Sequence, residues 1–123
     1  MAANARVDAN PGEIGRLYAA LDNVSEQDNP RTARLLGAGR RKMAQKLVEE
    51  AGEVALEAVR RRPRAVIRES ADLVYQPVVL WRECGIAPDE VWAEMRGRAE
   101  RLGIAEKLPK ATAHPAPAAL GFV

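Results

Sequence analysis

Between Ala65 and Trp81 the chain is apolar almost without a break, yet it carries Glu69 and Asp72 three positions apart. That spacing puts both carboxyls on one face of a helix, and Gln76 extends the face by another turn. A helix so apolar all round belongs at the centre of a bundle. Carboxylates carried there are costly unless they are paired or bound to a metal ion. Arg64 and Arg68 are the cations nearest in sequence, but an arginine on the outer edge would not neutralise an inward-facing pair.

The preceding segment supplies more acid. From Arg40 to Arg61 the residues are mostly Ala, Leu, Glu, Lys and Arg, all good helix formers. At about 100° per residue, Lys42, Glu50, Glu53 and Glu57 lie within roughly 40° of Lys46, with Glu49 at the edge of the stripe. An apolar stripe with Met43, Leu47 and Val54 adjoins it. Taken alone, such a face is an ordinary solvated one with an i, i+4 pair between Lys46 and Glu50.

The short link near Arg61–Pro63 changes the reading, because it makes the two helices antiparallel neighbours. Glu50 and Glu53 can then face Glu69 and Asp72. Converging carboxylates repel strongly if all are ionised. A set of Asp and Glu oxygens without His or Cys favours Mg²⁺, or Mn²⁺, over zinc or copper. An ion of that kind typically carries substrate phosphates, and Lys42 and Lys46 on the same face could bind the remaining phosphate oxygens. A buried salt-bridge network is the competing reading.

The remaining segments are helical too. Ile14, Leu17, Tyr18 and Leu21 form one stripe of a helix from Glu13 to about Asp22. Asn23–Arg31 reads as a loop and Thr32–Leu36 as one short turn, with Thr32 as its cap and Gly37 and Gly39 interrupting it. Pro63 opens the apolar helix, which runs to about Glu83 and ends at Gly85. Pro88 opens another, from about Asp89 to Leu102. No segment alternates as a strand does, so the chain is expected to be all-α.

One domain is expected over residues 12–108, between a flexible N-terminus (1–11) and a flexible tail (109–123) rich in Pro and Ala. Cys84, the single cysteine, excludes an internal disulfide and fits a reducing compartment. No apolar run reaches the roughly 20 residues of a membrane span, and MAANARVDANPGEIGR has no leader-like apolar stretch. These features point to the cytoplasm. Nineteen Lys and Arg against 17 Asp and Glu leave a charge of only +2, weak support for nucleic acid as a partner. His114 reads as a tail residue, Cys84, Trp81 and Trp92 as packing residues, and Arg60–Arg64 as a solvated turn. Arg31, Arg34, Arg40 and Arg41 form a basic segment with no assigned place.

The acidic residues also carry a resemblance. Glu49-Glu50-x-x-Glu53, then fifteen residues, then Glu69-x-x-Asp72 resembles the EExxE…ExxD signature of MazG-like all-α nucleotide pyrophosphohydrolases. KLVEEAGEVALEAV and RESADLVYQPVVLWRECGIAPDEVWAEM look like the phosphoribosyl-ATP pyrophosphohydrolases of histidine biosynthesis, over about residues 13–100. The resemblance implies a helical bundle completed by dimerisation. It also implies Mg²⁺-dependent hydrolysis of phosphoribosyl-ATP to phosphoribosyl-AMP and pyrophosphate. Glu50, Glu53, Glu69 and Asp72 would hold metal, Glu49 would support the attacking water, and Lys46 and Lys42 would contact phosphate. Two stretches depart from the family. Gln76 and Pro77 stand where it usually has His and Leu, and Pro30-Arg31-Thr32 replaces an upstream Ser-Tyr-Thr. Thr32 and Gln76 would be further substrate contacts, and Pro77 is expected to kink its helix.

Two other functions follow from the same residues. A pyrophosphohydrolase of another nucleoside triphosphate keeps the chemistry and changes the substrate. A non-catalytic helical module, binding nucleic acid through its arginines, would dispense with metal. So few aromatic residues make a thin core for one subunit, which also favours a homodimer.

Overall fold

A computed structural model describes residues 9–110. Among the described residues there are five α-helices and no strand: α1 (Glu13–Ala20), α2 (Pro30–Ala38), α3 (Arg40–Val59), α4 (Pro63–Glu83) and α5 (Pro88–Leu102). The expected all-α class is what the structure has. His114, most of the expected flexible N-terminus and nearly all of the expected tail lie outside the described residues. No described helix is long and apolar enough to cross a membrane.

The helix ends follow local chemistry. α1 tightens into a 3₁₀ turn over Leu21–Asn23, as helix ends often do. Pro30 occupies the first turn of α2, where its missing N–H costs nothing. Gly39, with φ +97°, separates α2 from α3; a β-carbon would be strained in that conformation. The segment that reads as a short turn over Thr32–Leu36 is thus a nine-residue helix. Gly37 is tolerated inside it, and Thr32 lies within the first turn instead of capping it.

α3 and α4 form the hairpin on which the rest is built. At the end of α3, Arg61 N–H donates to the Ala58 carbonyl and Arg62 N–H to the Glu57 carbonyl, both at 3.1 Å. This is a Schellman closure, whose central residue adopts the left-handed region. Here that residue is Arg61, with φ 59°. The end of α4 repeats the motif with glycine: Gly85 (φ 74°) donates to Arg82 and Ile86 to Trp81. Pro77 does not end α4, which continues to Glu83, although it has no N–H for the Leu73 carbonyl.

The core lies where α1 and α2 close on one end of this hairpin. Leu21, Leu35, Met43, Val78 and Val79 are buried, with Ile14, Leu17, Leu36, Tyr75 and Trp81 packed around them. Arg82 Nη2 reaches Asp22 Oδ1 at 3.3 Å and ties the 3₁₀ turn to the end of α4. Further along the hairpin, large apolar side chains are exposed. Val48 is 72%, Val59 80% and Ile67 67% exposed. The segment Ala65–Trp81, apolar enough for the centre of a bundle, is therefore buried only in its second half, because α1 and α2 are too short to cover the first.

The chain divides into two compact units after Pro88. The first holds α1 to α4. The second begins with α5, whose acidic Asp89 and Glu90 lie in its first turn, where they complement the helix dipole. Arg98 and Glu94 pair along it at 3.0 Å.

Candidate functional site

The antiparallel hairpin sets Glu50 on α3 opposite Glu69 and Asp72 on α4. One carboxylate oxygen from each lies within 4.8 Å of the other two. Glu50 and Glu69 are half-buried and Asp72 is exposed. Lys46 Nζ lies 3.6 Å from Glu50 Oε2 and 3.4 Å from Glu49 Oε1. Among the described residues no ion pair joins Arg64 or Arg68 to Glu69 or Asp72. Negative charge therefore outweighs positive charge at this point. Burial pushes the Glu69 carboxyl above the ordinary carboxylate range, and Glu53, Asp72, Glu50 and Glu57 add to the shift.

Such a cluster suits a hard divalent cation. Octahedral Mg²⁺–O bonds of about 2.1 Å place ligand oxygens roughly 3.0 Å apart when adjacent and 4.2 Å when opposite. Oxygens within 4.8 Å of one another reach that spacing by small side-chain rotations. Three carboxylates without His or Cys match the ligand preference of Mg²⁺ or Mn²⁺. These residues could hold a metal ion.

The other acids of the α3 stripe have separate surroundings. Glu53 is exposed one turn further on; it is close enough to influence Glu69 but outside the convergent three. Residues 60–64 are exposed, as expected of a solvated turn, and from it Arg60 approaches Glu57 at 3.8 Å and Arg62 at 3.7 Å. Glu57 Oε1 is nonetheless buried without a hydrogen-bond partner. Glu49 is exposed and accepts a 3.0 Å hydrogen bond from Gln45 Nε2. The hydrogen bonds from Gln45 and then Lys46 hold its carboxyl below the usual range.

A cavity of about 620 Å³ opens beside the convergent carboxylates. From α3 it is lined by Lys42, Lys46 and Glu50, and from α4 by Asp72, Tyr75 and Gln76. α2 contributes Arg31, Thr32, Arg34 and Leu35. Lys42, Lys46, Thr32 and Gln76, singled out from the sequence, thus share one cavity with Glu50 and Asp72. Glu49 and Glu53 are not among the lining residues. Thr32 Oγ1 lies 2.6 Å from Tyr75 Oη, a contact that leaves both hydroxyls further hydrogen-bonding capacity. Sequence reasoning missed Tyr75 as a wall residue, although its position three after Asp72 places it on the same face. It also left Arg31 and Arg34 unplaced, since nothing local indicates which way α2 turns.

Known proteins match this chain. The family model described as phosphoribosyl-ATP pyrophosphohydrolase matches residues 15–99. "Phosphoribosyl-ATP pyrophosphatase 2" of Rhodopseudomonas palustris is 54% identical over 99 residues, 79% of this chain and 76% of that protein. A protein of the same description from Bradyrhizobium diazoefficiens is 52% identical, over 79% of this chain and 74% of its own length. "Phosphoribosyl-ATP pyrophosphatase" of Gluconobacter oxydans is 46% identical, over 76% of this chain and 72% of its own length. No solved structure matches.

Proposed function

The chain belongs to the phosphoribosyl-ATP pyrophosphohydrolase family, and we propose that it hydrolyses the α–β phosphoanhydride of phosphoribosyl-ATP, releasing phosphoribosyl-AMP and pyrophosphate in histidine biosynthesis. The observation that carries this reading is the meeting of Glu50, Glu69 and Asp72 within 4.8 Å beside a cavity that Lys42 and Lys46 also line. Acidic oxygens and ammonium groups side by side suit a metal-bound polyphosphate.

Glu50, Glu69 and Asp72 would hold Mg²⁺, or Mn²⁺ in its place, with Glu53 swinging in as a fourth carboxylate. When bound, the ion would polarise the phosphoryl oxygens and acidify the attacking water. Lys46 and Lys42 would stabilise the charge that collects on the departing pyrophosphate. Glu49, whose carboxyl Gln45 and Lys46 hold below the usual range, would orient Lys46 and support the attacking water. Gln76 would hydrogen-bond the substrate but cannot carry a proton as histidine can. No side chain needs to become covalently attached.

Pyrophosphate release from phosphoribosyl-ATP with Mg²⁺ tests the reading, with other nucleoside triphosphates as competing substrates. Glu50→Gln and Glu69→Gln should each abolish it; wild-type turnover in both variants would end the proposal.

A homodimer is part of the same reading. Val48, Leu56 and Val59 on α3 and Ile67 and Val74 on α4 form apolar surface that this unit leaves open, and a second copy would bury it. Sedimentation should show a dimer at micromolar concentration, dissociated by Ile67→Asp; a wild-type monomer would contradict it.

A further inference from the structure

The cavity has an order along its length. α3 presents Glu50, Lys46 and Lys42 at successive turns, so Lys42 lies about 12 Å along the axis from Glu50. α4 runs the other way and presents Asp72 and then, one turn further, Tyr75 and Gln76. The carboxylates thus occupy one end of the hairpin's wall, lysine and glutamine come next, and α2 forms the third wall.

α2 brings a different charge to this space. Its sequence, PRTARLLGA, contains no acid. Arg31 and Arg34, three apart and therefore on one face, both line the cavity. Among the described residues neither makes an ion pair. Their backbone is held, because Leu35 is buried in the core and Thr32 is bonded to Tyr75. The arginines are exposed side chains on an anchored helix.

Gln76 provides an independent sign of a ligand. It is only 4% exposed, it lines the same cavity, and its Oε1 has no hydrogen-bond partner. A buried carbonyl oxygen without a donor is unfavourable, and a hydroxyl-bearing ligand beside it would supply one.

We propose that Arg31 and Arg34 form a second anion subsite, which takes a phosphomonoester separate from the polyphosphate held at the carboxylates, with Gln76 accepting a hydrogen bond from the sugar between them. The inference rests on the reading that the acidic end takes the triphosphate. It adds a basis for selection: a nucleotide with a phosphoribosyl group is charged at both ends, whereas an ordinary nucleoside triphosphate leaves the α2 arginines without a partner. Paired guanidinium groups suit a phosphomonoester because they donate in a planar fork.

Ribose 5-phosphate is the probe, titrated into the full chain by calorimetry with Mg²⁺ and pyrophosphate present. The Arg31→Gln/Arg34→Gln variant should bind it at least tenfold more weakly than wild type, while affinity for Mg²⁺–pyrophosphate stays within twofold. KM for phosphoribosyl-ATP should rise at least tenfold with kcat within threefold. Arg64→Gln, which removes a positive charge outside the cavity, should change none of these. Equal ribose 5-phosphate affinity in wild type and double variant overturns the subsite, as does an equal loss in Arg64→Gln. If wild type does not cleave phosphoribosyl-ATP, the parent reading falls, and the titration alone still decides whether α2 binds the phosphomonoester.

Discussion

The hydroxyls of Thr32 and Tyr75 lie 2.6 Å apart although 43 residues separate them in the chain. This bond fastens α2 across the cavity to α4, at a point one turn from Asp72. It is partly buried, and it holds the wall that carries Arg31 and Arg34. Because a hydrogen bond of this kind contributes about 1 kcal/mol net, Tyr75→Phe and Thr32→Val should each lower stability by about that much in urea unfolding. Together they should cost less than the sum, with a coupling of roughly 0.5–1 kcal/mol. Strict additivity would show that the two hydroxyls do not support each other.

Divalent ion should stabilise the fold through the carboxylates. At a concentration of about 100 times its dissociation constant, Mg²⁺ should add about 2.7 kcal/mol, read as a rise in Tm that EDTA reverses. Asp72→Asn and Glu69→Gln should remove most of the rise. A similar rise in either variant would place the ion elsewhere.

The pH dependence without metal has a defined sign. Glu69 has a raised pKa in the folded chain, from burial first and neighbouring acids second. The folded state then holds a proton that the unfolded state releases, so stability is lost as pH rises from the unfolded value of 4.5 through the folded one. Glu49, lowered by its hydrogen bonds with Gln45 and Lys46, acts in the opposite sense and below that window. In EDTA, Glu69→Gln should therefore gain stability relative to wild type between pH 4.5 and pH 7. Parallel curves in urea unfolding across that range would refute the prediction.

Arg61 should be replaceable with profit. It holds the left-handed position of a Schellman closure at φ 59°, where a β-carbon is disfavoured. Arg61→Gly should raise stability by about 0.5–1 kcal/mol, without altering turnover. A loss of stability would mean that its side chain contributes more than its backbone costs.

How much was legible beforehand differs from one residue to another. Helix α4 runs from Pro63 to Glu83, the bounds its proline, apolar run and terminal glycine indicate. Spacing and a short link put Glu50, Glu53, Glu69 and Asp72 on facing helices, because periodicity decides which faces can meet; only Glu50, Glu69 and Asp72 converge within 4.8 Å. α2 was underestimated: Gly37 reads as an interruption, yet a single glycine inside a helix costs only about 1 kcal/mol, and burial of Leu35 offsets it. The stripe Glu50, Glu53, Glu57 looks uniform in one dimension. In three, Glu57 is drawn to Arg60 and Arg62 at the hairpin turn while Glu53 stays exposed.

The amino-acid order by itself determined helices α1, α3, α4 and α5, the hairpin and the acids that could share a cation, since those depend on local periodicity, caps and one short turn. Only the tertiary structure decided which residues line the cavity. That depends on where α2 lies, and α2 is placed by long-range packing: Leu35 in the core and Thr32 on Tyr75. It also decided that half of the most apolar helix remains exposed, because burial depends on what other helices are long enough to cover.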